Sequence, residues 1–229
     1  GLVSGSLRET AAVYILNALT GNINQEGGMW AIPEADYIQW PDVATDNLAS
    51  AGLDQPRLDG AGTGKYTDAR YLTNRLGDSV NGGGPYPLQV LLVAGTNPCH
   101  DLPDTQHLKV AFARIPFIVS FSSFHDETAA MADLLLPDHV YLERYEDVPV
   151  GAGLAQQMIG LSRPVVSPQF NTRHLGETLI TAAKAMGGSM ADAFPWDDYE
   201  TCLEETLAEK WDTLMEDGVW VQADIDPVG

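Results

Sequence analysis

The chain has 229 residues and a mass of 24.7 kDa, enough for one large domain or two small ones with a real apolar core. Its 32 acidic and 12 basic residues give a formal net charge of −20, which argues against a nucleic-acid or anionic-membrane binder because phosphates would be repelled rather than neutralised. Two cysteines, Cys99 and Cys202, make neither a disulfide scaffold nor a CxxC cluster site, and apolar runs such as Val90 to Ala94 are far too short to span a bilayer.

The first residues, Gly1 to Gly5, carry no initiator Met, basic region or signal-type apolar core, and fit either a processed product or an excised piece of a longer protein. Residues 7–19 carry Leu7, Ala11, Tyr14, Ile15 and Ala18 at helical spacing, and Gly21 stops the predicted helix. Residues 21–87 are rich in glycine and proline and leave room only for short elements. Residues 88–94 (LQVLLVA) form a continuous apolar, β-branched run, which predicts a strand buried on both faces and therefore parallel. A helix over 104–114 with Asp104 as N-cap follows, then a second buried strand at 117–121. Residues 126–135 predict a second helix, with Asp126 or Glu127 at its positive end. Residues 139–143 read as a third strand or an extended segment. Further helices are predicted over 173–186 and 197–217, the latter with Tyr199, Leu203, Leu207, Trp211, Leu214 and Met215 on one stripe.

Strand, helix, strand, helix at this spacing predicts an α/β fold: an open, mainly parallel sheet with helices on both faces, Rossmann-like, plus the long irregular Gly/Pro-rich segment. Residues 190–229 hold twelve acids and one base, Lys210, read either as a solvated face or as a docking surface for a basic partner.

In an open parallel sheet, ligands bind beyond the carboxyl ends of the strands. Gly95, Thr96 and Asn97 follow the first strand. Gly95 lets a ligand approach the backbone, and the two short polar residues supply hydrogen bonds; a plain Asx-type turn is the alternative. Ser122, Ser123, His125 and Asp126 follow the second strand and suit an anion or a nucleotide phosphate. No GxGxxG opens either helix. His125–Asp126 and His100–Asp101 are candidate acid–base pairs, with capping or exposure as the alternative. The five histidines show no metal-ligand spacing, so no metal site and no catalytic residue is assigned. Cys99 reads as a ligand contact or as an inert buried thiol.

Four stretches together resemble the molybdopterin oxidoreductase superfamily, typified by dimethyl sulfoxide reductase, formate dehydrogenase and polysulfide reductase. Leu16 to Ile23 with Gly27-Gly28 is similar to the family's LNALTGN…GG element, and Val93 to Pro98 to its strand followed by GxNP. Ser120 to Pro137, with Glu127-Thr128-Ala129, Ala132-Asp133 and Leu136-Pro137, is similar to its ETA…ADxxLP element, after which Leu142-Glu143 stands where the family has LE. The resemblance implies that the chain holds part of a molybdopterin guanine dinucleotide cofactor. It places Gly95, Thr96 and Asn97 against the dinucleotide, and Ser122, Ser123, Asp126 and Thr128 facing the cofactor.

It further implies three regions: 1–87, an N-terminal helix and covering segment; 88–189, an α/β cofactor-binding domain; and 190–229, an acidic helix and tail. The family's iron–sulfur cysteine motif, its molybdenum-ligating residue and its barrel-like domain are absent from these residues. The expected reading is a segment that is inactive alone and retains no cofactor in isolation. Its expected partners are the remaining parts of the same parent chain and the iron–sulfur and membrane subunits of a redox complex, on the periplasmic or cytoplasmic side, with no nucleic acid and no direct membrane insertion. A cofactor-free structural piece of a respiratory complex and an unrelated nucleotide-binding α/β domain are the competing readings.

Overall fold

The computed structural model describes residues 6–32, 35–150 and 156–222. In chain order its elements are α1 (Ser6–Leu19), α2 (Asn47–Leu53), α3 (Leu76–Asn81), β1 (Val90–Val93), α4 (Pro98–Asp101), α5 (Thr105–Phe112), β2 (Phe117–Ser120), β3 (Leu134–Leu135), β4 (Glu146–Pro149), β5 (Met158–Ser162), α6 (Leu175–Met186), α7 (Gly188–Asp192), α8 (Tyr199–Leu207), α9 (Trp211–Asp217) and β6 (Val219–Val221). Two compact units emerge: Pro41–Arg144 with Pro164–Cys202, and the remainder.

The first unit holds the parallel sheet β1-β2-β3. β1 runs beside β2 from Val90↔Phe117 to Val93↔Ser120, and Val119 and Ser120 pair with Leu134 and Leu135. The β1–α5–β2 crossover is the one the apolar runs predict. Val93 and Ile118 point into a core with Cys99, Leu108, Phe112 and Ile115, against which Leu76, Val80 and Leu91 pack. α3 is clasped to α5: Asn81 Nδ2 donates to the His107 carbonyl at 3.0 Å, and Arg114 donates to the Asn81 carbonyl at 2.7 Å. Part of the Gly/Pro-rich stretch thus belongs to the core.

β1 is not buried on both faces. Val90 and Leu92 are 50% and 54% exposed, and Phe117 and Leu134, on the same face, are also exposed. α3 and α5 cover only the face that carries Val93 and Ile118. The apolar run reports that both faces are hydrophobic, not that both are covered.

Residues 126–135 are not a helix. Asp126 starts a turn by accepting from Ala129 N–H at 2.7 Å, and a single 3₁₀ turn follows at Ala129–Met131. Ala132 is then extended, because the next residues are drawn into the sheet: Asp133 N–H donates to the Ile118 carbonyl at 2.8 Å, and Leu136 N–H to the Ser120 carbonyl at 2.9 Å. The Asp133 carboxylate accepts from Ile118 N–H at 2.7 Å, which pins the new strand by its side chain as well. The third strand is therefore β3, and Val140–Glu143 is a turn.

α6 is capped by His174, whose Nδ1 accepts from Gly176 N–H, and ends at Gly187 with φ +72°. The predicted helix over 197–217 is two helices, α8 and α9. They are separated by a 3₁₀ turn at Ala208–Lys210, where Ala208 has φ +50° and cannot continue a right-handed helix. Leu207 and Leu214 are fully buried on either side of the break, so the apolar stripe runs through it unmarked.

The second unit contains the antiparallel sheet β4-β5-β6, which the sequence reading does not anticipate. Its central strand alternates, with Ile159 and Leu161 buried. Tyr37 donates to Asp147 at 2.7 Å, and the Tyr145 and Trp211 rings lie 6.4 Å apart.

Replacing Phe112, 1% exposed, by Ala should cost about 3–5 kcal/mol in urea unfolding, whereas Leu92→Ala should cost less than about 1 kcal/mol. Equal costs would show that the Leu92 face is covered. A second prediction concerns Asp59, which is buried and accepts from Arg57 Nε and Nη2 at 3.0 and 2.9 Å, from Ala61 N–H at 3.1 Å and from Leu72 N–H at 2.8 Å. The Arg57 guanidinium, with these N–H groups, holds its carboxyl well below the usual carboxylate range. A lowered folded-state pKa stabilises the fold above the unfolded value, and that stability fades as pH falls below it. Asp59→Asn should therefore cost about 2 kcal/mol at neutral pH, and the gap to wild type should close below about pH 4. A gap that does not change with pH would refute the role of the ionised group.

Candidate functional site

The loops after β1 and β2 leave neighbouring parallel strands at their carboxyl ends. Gly95 turns the first loop with φ +64°, and a Cβ built there meets nothing within 4 Å, so its backbone lies open to a ligand. Thr96 is exposed, and Pro98 opens α4 at a position where its missing N–H costs nothing. Thr96 and Pro98 also line an apolar pocket of about 250 Å³ with Leu91, Leu102 and Phe112.

Asn97 and Thr128 lock the two loops together. Asn97 Oδ1 accepts from the Thr128 hydroxyl at 2.7 Å and from Thr128 N–H at 3.2 Å. Thr128, 1% exposed, in turn accepts from Cys99 N–H at 3.0 Å. Asn97 Nδ2 donates to Glu127 Oε2 at 2.7 Å, and Asn97 N–H to Asp101 Oδ2 at 3.3 Å. The Asn97 amide beside it holds the Glu127 carboxyl below its usual range.

The second loop is equally tied. Ser122 Oγ donates to Asp126 Oδ2 at 2.8 Å and accepts from Phe124 N–H at 3.2 Å. Burial works against the charge on Asp126, but the Ala129 N–H and the Ser122 hydroxyl outweigh it and hold the carboxyl below the usual range. Ser123 Oγ donates to the Asp138 carbonyl at 2.7 Å. The Asp138 carboxylate pairs with Arg144 and accepts from His139 N–H at 2.8 Å and Leu175 N–H at 2.9 Å. The Ser123 end of the loop is thereby anchored to the start of α6.

The structure thus brings all seven predicted residues to one end of the sheet but divides their work. Gly95 and Thr96 face outward. Asn97, Asp126 and Thr128 build the scaffold, and Ser122 and Ser123 are hydroxyls held in place by neighbours. Sequence reasoning left Glu127 and Asp138 off the list of site residues. Glu127 stood inside a quoted motif, but its pairing with Asn97, thirty residues away, has no local signature. His100 and His125 are exposed, Asp126 serves as a cap, and Cys99 is a buried thiol with its Sγ 3.8 Å from Met131 Sδ. Among the described residues, no three His, Cys, Asp or Glu side chains converge as a metal site, and no helix is long and apolar enough to cross a membrane.

Comparison with known proteins fits this arrangement. The sequence model of the molybdopterin oxidoreductase family matches residues 9–177. The chain is 33% identical over 175 residues to the menaquinone reductase, molybdopterin-binding-like subunit, of Nitratidesulfovibrio vulgaris, covering 76% of this chain and 22% of that protein. It is 28% identical over 201 residues to the thiosulfate reductase molybdopterin-containing subunit PhsA of Salmonella typhimurium, covering 82% and 26%. The chain therefore spans about a quarter of the length of these relatives. The structure of acetylene hydratase from Pelobacter acetylenicus superposes with a TM-score of 0.58 over 66% of this chain and 21% of that one, at 20% identity, a likeness of fold. On the match over residues 9–177 and the identity to these relatives, the chain belongs to the molybdopterin oxidoreductase family.

Proposed function

We propose that the loops after β1 and β2 form one wall of a cofactor site and hold part of a molybdopterin guanine dinucleotide. The polypeptide carrying this segment would move electrons between a small substrate and a redox carrier. The observation that carries this reading is the convergence of Gly95–Asn97 and Ser122–Thr128 at the carboxyl ends of two parallel strands, where such sheets bind ligands. The donor set suits the group: an open glycine backbone and the exposed Thr96 hydroxyl can meet phosphate without a cation, while Ser122 and Ser123, whose hydrogens go to Asp126 and Asp138, hold the second loop in shape. When bound, the cofactor supplies the two-electron redox chemistry. This chain's residues bind and orient it: Gly95 admits it, the Thr96 hydroxyl donates to it, and the Asn97–Thr128 bridge keeps the two loops at one spacing.

In this reading 88–189, with α3 packed into its core, is the cofactor-facing region, the rest of 1–87 a cover, and 190–229 an acidic surface toward neighbours. Those neighbours are the rest of the same polypeptide and the iron–sulfur and membrane subunits of a redox complex. A second reading, a cofactor-free structural piece, draws support from the relative named molybdopterin-binding-like. Nucleotide and metal content of the purified parent polypeptide separates the two.

Gly95→Val should lower the molybdopterin nucleotide retained by the parent polypeptide several-fold; its side chain enters open space but is strained at φ +64°, at a cost of about 1–3 kcal/mol to the fold, and retention per folded molecule should fall nonetheless. Full retention would remove the loop from the site. Thr128→Val should lower both retention and stability, because it leaves Asn97 Oδ1 and Cys99 N–H short of a partner in a buried setting, at a cost of about 1–3 kcal/mol read by thermal melting. An unshifted melt would show that the bridge is dispensable.

A further inference from the structure

The amino terminus of α6 is held by two acceptors of different chemistry. Leu175 N–H donates to Asp138 Oδ1 at 2.9 Å, and Gly176 N–H donates to His174 Nδ1 at 3.0 Å. Helix caps are ordinarily hydroxyls, amides or carboxylates, which still accept in mild acid. An imidazole nitrogen accepts only while it carries no proton, and imidazoles take up that proton at about pH 6.5 in water. The cap on α6 is therefore a part of the clamp that mild acid removes.

The ring is placed by packing as well as by the cap. It stacks on Tyr199, with centroids 4.1 Å apart and planes at 26°. Tyr199 in turn lies against Gly176: a Cβ there would stand 2.3 Å from Tyr199 Cδ2, so no side chain fits. Tyr199 N–H donates to Glu177 Oε1 at 2.6 Å, which ties the start of α8 to the first turn of α6.

Protonation sets one N–H against another at Gly176 and adds a positive charge to the positive end of a 12-residue helix. Arg173, the preceding residue, is a second cation there. Against this stand the Tyr199 ring and two carboxylates, which favour the charged ring. Both carboxylates are already committed: Asp138 to Arg144, to His139 N–H and to Leu175 N–H, and Glu177 to Tyr199 N–H. On α8, Asp198 caps its own helix through Thr201 N–H, and Glu200 is exposed. His139 is bonded to the Thr172 hydroxyl at 2.7 Å through its own Nδ1. The lost cap and the added like charge therefore prevail.

The clamp reaches the candidate site through one residue. Asp138 holds Leu175 N–H with its carboxylate, and its carbonyl takes the Ser123 hydroxyl at 2.7 Å. Beside it, Arg173 N–H donates to the Pro137 carbonyl at 3.0 Å. When the first turn of α6 opens, the segment that moors the loop after β2 loses its own support.

We infer that His174 is a pH-sensitive clasp on the loop after β2. Neutral, it caps α6 and keeps Ser123 moored through Asp138; protonated, it lets the first turn of α6 open and the loop loosen. A consequence for cofactor retention in mild acid rests on the reading of that loop as a cofactor wall; the clasp itself does not.

The test is amide exchange of the whole chain at about pH 7.5 and about pH 5.5, each corrected for the intrinsic rate. In the wild type, protection over Leu175–Thr178 should fall about five- to tenfold at the lower pH, with a parallel fall over Ser122–Phe124, while Ile118 and Val119 keep theirs. His174→Asn supplies a cap that does not titrate, and should hold both segments protected at both pH values. His174→Ala removes the cap altogether and should show the lowered protection at both. His139→Gln should leave the wild-type response in place. Wild-type protection that is unchanged or rises at the lower pH would overturn the inference. A fall confined to α6 would break its link to the loop and overturn it too. So would a response of Ser122–Phe124 that survives His174→Asn, which would assign it to His125 or His139. The measurement involves no nucleotide, so its failure leaves the reading of the cofactor loops standing, and that reading falls instead with full retention by Gly95→Val.

Discussion

The arrangement of the site depends on one short hydrogen-bonded bridge, from Thr128 to Asn97 at 2.7 Å. Two parallel strands guarantee that their carboxyl ends are neighbours, but the loops that leave them are free to diverge. The bridge removes that freedom. Because Thr128 is buried and also accepts from Cys99 N–H, its hydroxyl stands between the first turn of α4 and the Asn97 side chain. Breaking it exposes buried polar groups without water to take their place, so the cost exceeds that of an ordinary surface contact. The same bridge orients the Asn97 amide and through it the Glu127 carboxylate. A structural bond thereby fixes which chemical groups the candidate site presents.

Charge shapes the site in the same direction. With a net charge of −20, the chain has few cations to spare, and several are engaged in the fold: Arg144 with Asp138, Arg114 with the Asn81 carbonyl, Arg57 with Asp59. The donors offered by the loops after β1 and β2 are neutral: the open backbone at Gly95 and the Thr96 hydroxyl. Such donors bind anions by geometry rather than by field, so their spacing matters more than their number. This is consistent with the heavy bracing of both loops, in which Ser122, Asp126 and Asp138 spend their hydrogen bonds on holding position.

The features legible in the sequence were those with a local cause. The two apolar runs announced parallel strands, Asp104 announced a cap, and the glycine after β1 announced an open turn; each reflects neighbours within a few residues. The features that escaped depend on distant partners. Residues 126–135 have helical composition, but Asp133, Leu134 and Leu136 gain more by pairing with β2 than by continuing a helix. The antiparallel sheet was missed because β4 and β6 are short and its three strands come from widely separated parts of the chain. The break at Ala208 leaves the apolar stripe intact and so has no compositional trace. At the site, the residue list came within reach of the loops, while the division between outward-facing and bracing side chains required the long-range pairings of Asn97 and Asp138.

The partly exposed face of the parallel sheet, where Val119 is buried but its apolar neighbours are not, has a consequence for how copies of the chain behave in solution. Val90, Leu92, Phe117 and Leu134 place adjacent apolar side chains where water must cover them, which favours any encounter that removes that water. Opposing this is the long-range repulsion between molecules that each carry a net charge of −20. The two act over different distances: the attraction only on contact, the repulsion across a Debye length that shrinks from about 30 Å at 0.01 M salt to about 8 Å at physiological strength. Ionic strength therefore governs colloidal behaviour here in the reverse of the usual salting-in sense. Dilute buffer keeps the faces apart, and added salt lets them find one another.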